Sequence, residues 1–236
     1  MRSDPAPDRS LTSDRTQQMS HPIRVALVDD QVLVRSGFRM MIEAESDIVV
    51  VGEASDGQEA LSLLRDVAVD VILMDVRMPG IDGIETTRRI ISGGYPAKII
   101  ILTTFDLDDY VYEALRAGAS GFLLKDARAT ELVDAIRAVN SGEAIMAPST
   151  TKRLLSNLVP GPDKSHPDPR RQLLTDRETD VLIQIAQGWN NTEIAQNLHL
   201  AEGTIKTHIS RLLFKLQARD RVGLVLAAYD MGLVDR

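Results

Sequence analysis

Asp29 and Asp30 follow the apolar run 25–28, Asp75 follows 71–74, Thr103 and Thr104 close the run 99–102, and Lys125 follows 121–124. Short continuous apolar runs of this kind read as strands buried on both faces of a parallel sheet. The carboxyl ends of such strands line the ligand crevice of an open α/β sheet. The Met78-Pro79-Gly80 turn lies just beyond Asp75. Three carboxylates, a hydroxyl and an ammonium would therefore converge on one crevice.

That set of groups suits a divalent cation and a phosphoryl group. A lone strand-end aspartate is most often a helix cap or a solvated loop residue; the combination is what carries chemistry. Two adjacent carboxylates are costly to bury unless a cation compensates them. Mg²⁺, a hard ion that keeps several waters beside one or two carboxylates, answers that need and leaves coordination positions for phosphate oxygens. Asp75 would be the nucleophile, forming an acyl phosphate. Lys125 would act as a point charge on the phosphoryl oxygens, and Thr103 would hydrogen-bond one of them. Phe122, three residues before Lys125, is open between a plain core role and a part in the site.

The elements that must position these groups alternate regularly. Strands are predicted at 23–28, 48–53, 70–74, 98–102 and 121–124, with amphipathic helices at 32–42, 60–64, 84–91, 110–117 and 131–139. This alternation predicts a doubly wound, five-stranded parallel α/β sheet with helices on both faces. Gly118 and Gly121 suit the tight turn into the last strand.

At 236 residues the chain has room for two domains and a linker. No apolar run approaches the ~18–20 residues of a membrane span, and there is no cysteine, so disulfides and thiol chemistry are excluded. A cytoplasmic protein with no membrane partner is expected. Residues 1–20 are polar, with Pro5 and Pro7, and predict a disordered tail rather than a secretory signal. Met19 stands just before the first strand and is a candidate translation start. The resulting division is a tail at 1–20, a first domain at 21–140, a linker at 141–171 and a second domain at 172–236. The linker holds five prolines, and part of it, 150–158, is expected to form a helical turn or two.

Charge divides the chain unevenly. Residues 23–151 carry 12 Lys/Arg against 21 Asp/Glu, a net of −9, whereas 170–236 carry 9 against 8, a net of +1. Only the second half can readily approach a polyanion. It contains four helical patterns, at 176–187, 191–198, 202–216 and 221–231. Thr175-x-x-Glu178 and Asn190-x-x-Glu193 have capping-box spacing, and Gly188 suits a helix end. The stretch 191–216 reads as helix, turn, helix, with the turn near 199–201. Its second helix would turn Ile205, Ile209, Leu212 and Leu216 inward and present Lys206, Thr207, Ser210 and Arg211 outward. Those groups can reach base edges or phosphates, or form a solvated face of a small bundle. Trp189 is expected at a helix junction; His199 and His208, without metal-ligand partners at useful spacing, are expected to be structural.

The words LVDD, ILMDVRMPGIDG, ILTT and GFLLKDA together resemble the receiver domain of two-component response regulators, over about 23–139. The words LTDRETDVL, IAQGWNNTEIAQNL and GTIKTHISRLLFKL resemble the LuxR-type helix-turn-helix of NarL/FixJ-type regulators, over about 174–234. The resemblance implies a flavodoxin-like receiver followed by a small all-α DNA-binding domain. It implies a non-enzymatic transcription regulator whose Asp75 is phosphorylated by a sensor histidine kinase. Asp30, Asp75 and the Arg77 carbonyl would hold Mg²⁺ directly, and Asp29 through water. Thr103 and Phe122 would be paired switch residues. The helix at 202–216 would enter the major groove, the last helix would carry the dimer contact, and a homodimer would read an inverted repeat in double-stranded DNA.

Three features depart from the family pattern or vary within it. Arg77 is open between a cation that shields the acyl phosphate from water, and so modulates its lifetime, and a side chain that points into solvent. Ala201 replaces the usual serine cap of the recognition helix, so a slightly frayed start is expected. Phe214, on the polar face of that helix, is open between a single exposed aromatic, which is common, and a side chain that docks on the receiver while Asp75 is unphosphorylated. A rival reading is an aspartyl-phosphate phosphohydrolase resembling the haloacid dehalogenase superfamily; those enzymes need a second Asp where this chain has Arg77. A second rival, a phosphate-independent pseudo-receiver, is disfavoured because no acidic, Thr or Lys position is missing.

Overall fold

The computed structural model describes residues 21–104, 108–142 and 168–234, with backbone alone at 108–112. The tail at 1–20, the start at Met19 and the helical turns expected at 150–158 lie outside the described residues. The first half runs β1 (Ile23–Val28), α1 (Val32–Glu43), β2 (Ile48–Ala54), α2 (Gly57–Asp66), β3 (Val71–Asp75), α3 (Gly83–Ser92), β4 (Lys98–Thr103), α4 (Asp108–Ala117), β5 (Gly121–Leu124) and α5 (Ala129–Ser141). The five strands are parallel, in the order β2-β1-β3-β4-β5. Reversal of strand order beside β1 opens the crevice between β1 and β3.

The pleat explains why the strands read as unbroken apolar runs. Val25, Leu27, Val71, Leu73, Ile100 and Leu102 face one layer, with Phe38 and Ile42 of α1 and Leu132 and Ile136 of α5. Ala26, Val28, Ile72, Met74, Ile99 and Ile101 face the other, with Ala60, Leu64, Ile84, Ile90 and Ala114. Both faces are covered, so both parities must be apolar. Four helices, α2 to α5, start earlier than their apolar pattern predicts, and polar caps account for two of them. Asp56 accepts Glu59 N–H at 2.9 Å and starts α2; Asp82 accepts Glu85 N–H at 2.7 Å and starts α3. These short polar caps satisfy orphan first-turn donors.

The second half begins with a 3₁₀ turn, Pro169–Leu173, capped by Asp168, so the stretch read as linker is already ordered at its end. Four helices follow: α6 (Asp176–Ala186), α7 (Asn191–Leu198), α8 (Glu202–Leu216) and α9 (Arg221–Asp230). Thr175/Glu178 and Asn190/Glu193 form the two capping boxes. Gly188 adopts φ 90°, and its N–H reaches the Ile185 carbonyl at 3.0 Å, closing α6. His199 takes the left-handed conformation (φ 53°) that turns α7 into α8. Val181, Leu182, Ile185, Ile194, Ile205, Leu212 and Leu224 make a separate core, with Trp189 packed at its edge. None of the described helices is long and apolar enough to cross a membrane.

Candidate functional site

Four of the five strands deliver groups to the crevice. Asp75 is the last residue of β3, Asp29 lies one position beyond β1, and Lys125 lies one beyond β5. Thr103 ends β4, is buried, and its carbonyl accepts Lys125 N–H at 2.8 Å. Lys125 Nζ sits 2.7 Å from Asp29 Oδ2 and 2.9 Å from Asp75 Oδ2, with only 8% of its side chain exposed. One ammonium thus bridges two buried carboxylates. Oxygens of Asp29, Asp30 and Asp75 lie within 4.8 Å of one another.

The adjacent pair is not buried as a pair, however. Asp29 is buried and Asp30 is exposed at the mouth. The carboxylates that share the low-dielectric interior are Asp29 and Asp75, brought together by neighbouring strands rather than by sequence adjacency. Burial raises the pKa of Asp75, the Asp29 charge adds to this, and contact with Lys125 only partly offsets it. Burial alone would lower the pKa of Lys125, but the two carboxylates outweigh it and the net shift is upward.

Three further groups shape the pocket and were not singled out from the sequence. Gln31 N–H donates to Asp29 Oδ1 at 2.9 Å, and the Arg35 guanidinium donates to the Asp29 carbonyl. Gly83 lies against the backbone of Asp75, where an added Cβ would fall 1.9 Å from the Asp75 carbonyl oxygen. Only glycine lets α3 start this close behind the aspartate. The Asp82-Gly83 pair, an N-cap followed by glycine, was the available signal. Gly80 takes φ 77° in the turn after Met78 and Pro79.

Of the remaining predicted positions, Phe122 is half-buried and packs on the layer shared by α2, α3 and α4. Arg77 is exposed. The donor set of Asp29, Asp30 and Asp75 is all hard oxygen, and three carboxylates so close together fit a hard divalent cation.

In α8, Ile205, Leu212 and Leu216 are buried while Lys206, Thr207, Ser210 and Arg211 are exposed on the opposite side. Ala201 offers no side-chain cap, yet the helix begins regularly at Glu202. Glu202 lies in that first turn and pairs with Lys206 at 3.3 Å, a favourable charge at a helix start. Lys215 Nζ holds the buried carboxylate of Glu178 at 2.7 Å, which fixes α8 against the start of α6.

Phe214 does not dock on the first domain: it is 85% exposed. The two halves meet instead through α9. Val222 is buried in the apolar layer that contains Ile90, Ala97 and Ala117, and Leu226 packs against both cores. Arg116 of α4 makes a two-pronged pair with Asp230 (2.6 and 3.4 Å). The Arg219 guanidinium donates to the carbonyls of Tyr95 and Ala97 in the α3–β4 connection. A periodicity argument selected Phe214 as the exposed apolar anomaly, whereas apolar residues that seal a contact look, in sequence, like ordinary core.

Residues 25–137 match the family described as response regulator receiver domain, and residues 172–228 match the bacterial regulatory proteins of the luxR family. The uncharacterized transcriptional regulatory protein YxjL of Bacillus subtilis is 47% identical over 90% of this chain and 97% of its own length. The transcriptional regulatory protein LiaR of the same organism is 42% identical over 90% of this chain and 100% of its own. A solved structure of RcsB dimers bound to DNA is 25% identical, with a TM-score of 0.53 over 89% of this chain and 99% of that one.

Proposed function

The chain belongs to the two-component transcriptional response regulators that join a receiver to a LuxR-type helix-turn-helix, and on that premise we propose that Asp75 is its phosphoacceptor. The observation that carries this reading is the Lys125 bridge between Asp29 and Asp75. It holds an ammonium beside the nucleophile, where it can meet phosphoryl oxygens. Asp29, Asp30, Asp75 and the Arg77 carbonyl would hold Mg²⁺, which supplies charge neutralisation for the incoming group. Thr103 would hydrogen-bond the bound phosphoryl group and Phe122 would follow it inward. The donor is a sensor histidine kinase, and the site stores phosphate rather than turning over a substrate. Arg77 would set the phosphate's lifetime, so Arg77→Ala should change the dephosphorylation rate; an unchanged rate removes it from this role.

The output is binding of double-stranded DNA by a homodimer, on an inverted-repeat operator, in the cytoplasm. Lys206, Thr207, Ser210 and Arg211 would face the major groove. The domain division at 21–140, 141–171 and 172–236 is supported by apolar clusters proper to each half, which meet only through Val222 and Leu226 of α9 among the described residues. Thr103 leads into the connection before α4, and α4 carries Arg116 against Asp230. Inward movement of Thr103 would thereby reach the contact that restrains α9. The test is DNA binding with and without phosphorylation: wild type should gain affinity on phosphorylation and Asp75→Asn should not. Equal affinity in both states would overturn the proposal.

A further inference from the structure

The outward stripe of α8 runs Thr207, Ser210, Arg211 and Phe214, spaced three, four and seven residues from its start. Residues at that spacing share one helix face. Several of the polar members are already engaged within the helix. Thr207 Oγ1 donates to the Gly203 carbonyl and Ser210 Oγ to the Lys206 carbonyl, each at 3.0 Å, and Lys206 pairs with Glu202. Phe214 is different. It is the most exposed aromatic among the described residues, and it stays uncovered although the two domains are in contact. An aromatic ring left in water next to Arg211, on a cationic face, is placed for an apolar group carried by a polyanion.

The major groove offers one such group, the C5-methyl of thymine, and a phenyl ring is among the side chains that contact it. On the reading that α8 enters the groove, we propose that Phe214 is a specificity-determining residue that recognises a thymine methyl near one edge of each half-site. From Lys206 to Phe214 the helix advances about 12 Å, comparable to the ~12 Å width of the groove. Phe214 would therefore meet a base pair at one edge of the half-site, apart from the pairs beside Lys206 and Thr207. Arg211, one turn earlier, would hold the adjacent phosphate.

The experiment uses the full chain phosphorylated with acetyl phosphate, and duplexes selected by that protein from a random pool. Each thymine of the selected site is then replaced in turn by deoxyuridine, which removes only the methyl. Wild type should lose about fourfold in affinity per half-site at one thymine, the ratio expected for burying one methyl-sized group. Phe214→Ala should bind the thymine and deoxyuridine sites equally, and Phe214→Leu should keep part of the preference. The salt dependence of Phe214→Ala should match wild type, whereas Arg211→Ala should flatten the slope by about 0.9 for each phosphate that Arg211 neutralises. If wild type selects a site but no deoxyuridine matters, or if Phe214→Ala keeps the wild-type profile, the inference about Phe214 fails and DNA binding stands. If phosphorylated wild type selects no site at all, both readings fail together.

Discussion

Lys125 stands between Asp29 and Asp75, 2.7 Å from one carboxylate and 2.9 Å from the other, and so balances the only buried acidic pair of the receiver's described residues. It makes two buried carboxylates tolerable in this state; if Asp75 is the phosphoacceptor we propose, the same ammonium would lie beside the phosphoryl oxygens, and stability and switching would be coupled at this point.

Asp75 should cost the resting protein stability. Its folded pKa lies above the ordinary 3.8, because burial disfavours the charged form. The folded chain binds that proton more tightly than the unfolded chain, so the linked stability is fully present below pH 3.8 and lost as pH rises through the raised value. Asp75→Asn, neutral at every pH, should raise the melting temperature near neutral pH in metal-free buffer. The gain should shrink toward acid pH and when Mg²⁺ is added. A variant that melts below wild type at neutral pH would contradict this account of the pocket.

Removing the bridge should do the opposite. The pKa of Lys125 is raised above 10.5, so its contribution is fully present below that pH and lost as pH rises through the higher folded value. Lys125→Ala leaves two buried carboxylates uncompensated, which costs about 3–5 kcal/mol. Mg²⁺ should restore part of the loss, so the variant's melting temperature should depend more steeply on Mg²⁺ than that of wild type. Thermal unfolding across a Mg²⁺ titration measures this, and parallel curves would refute it.

The α9 contact should hold the unphosphorylated protein inactive. Val222→Asp places a carboxylate in the apolar layer that Val222 now fills, and Arg219→Ala removes two donors to the α3–β4 connection. Both variants should bind DNA without phosphate, Val222→Asp more strongly because a buried unpaired charge is the costlier change. The Arg116–Asp230 pair is half-exposed and screened, so Arg116→Ala should have a small effect. Fluorescence anisotropy with unphosphorylated protein decides the matter; full phosphate dependence in Val222→Asp would show that α9 is not the restraint.

A cap is missing at the start of α8, and supplying one should stabilise the domain. Ala201 already has extended backbone (φ −72°, ψ 145°), the geometry of an N-cap, but offers no acceptor. Ala201→Ser should add about 0.5–2 kcal/mol, seen as a higher denaturation midpoint of the full chain. No change would mean that Glu202 already satisfies the first turn.

Much of the fold was legible because its strands are buried on both faces, which leaves continuous apolar runs that end at polar groups. The strand ends in turn located Asp29, Asp75, Thr103 and Lys125. What escaped had a different physical origin. Asp56 and Asp82 extend α2 and α3 through single cap hydrogen bonds, which apolar periodicity does not register. Asp30 was paired with Asp29 by adjacency; the oxygens of both reach the same site, but only Asp29 is buried and Asp30 stays at the exposed mouth. The need for Gly83 follows from how closely α3 approaches β3, a distance no local pattern encodes. Of the two readings open for Phe214, the exposed aromatic holds; the docking contact is made by Val222 and Leu226, whose apolar side chains resembled an ordinary helix core.

Whether Asp75 carries the phosphate is read from the mass of the intact protein. Wild type and Asp75→Asn are incubated side by side with Mg²⁺ and acetyl phosphate. Wild type should gain one phosphoryl group, the variant none, and wild type should gain none when Mg²⁺ is withheld. An equal gain by Asp75→Asn would place the phosphate elsewhere and contradict its assignment to Asp75.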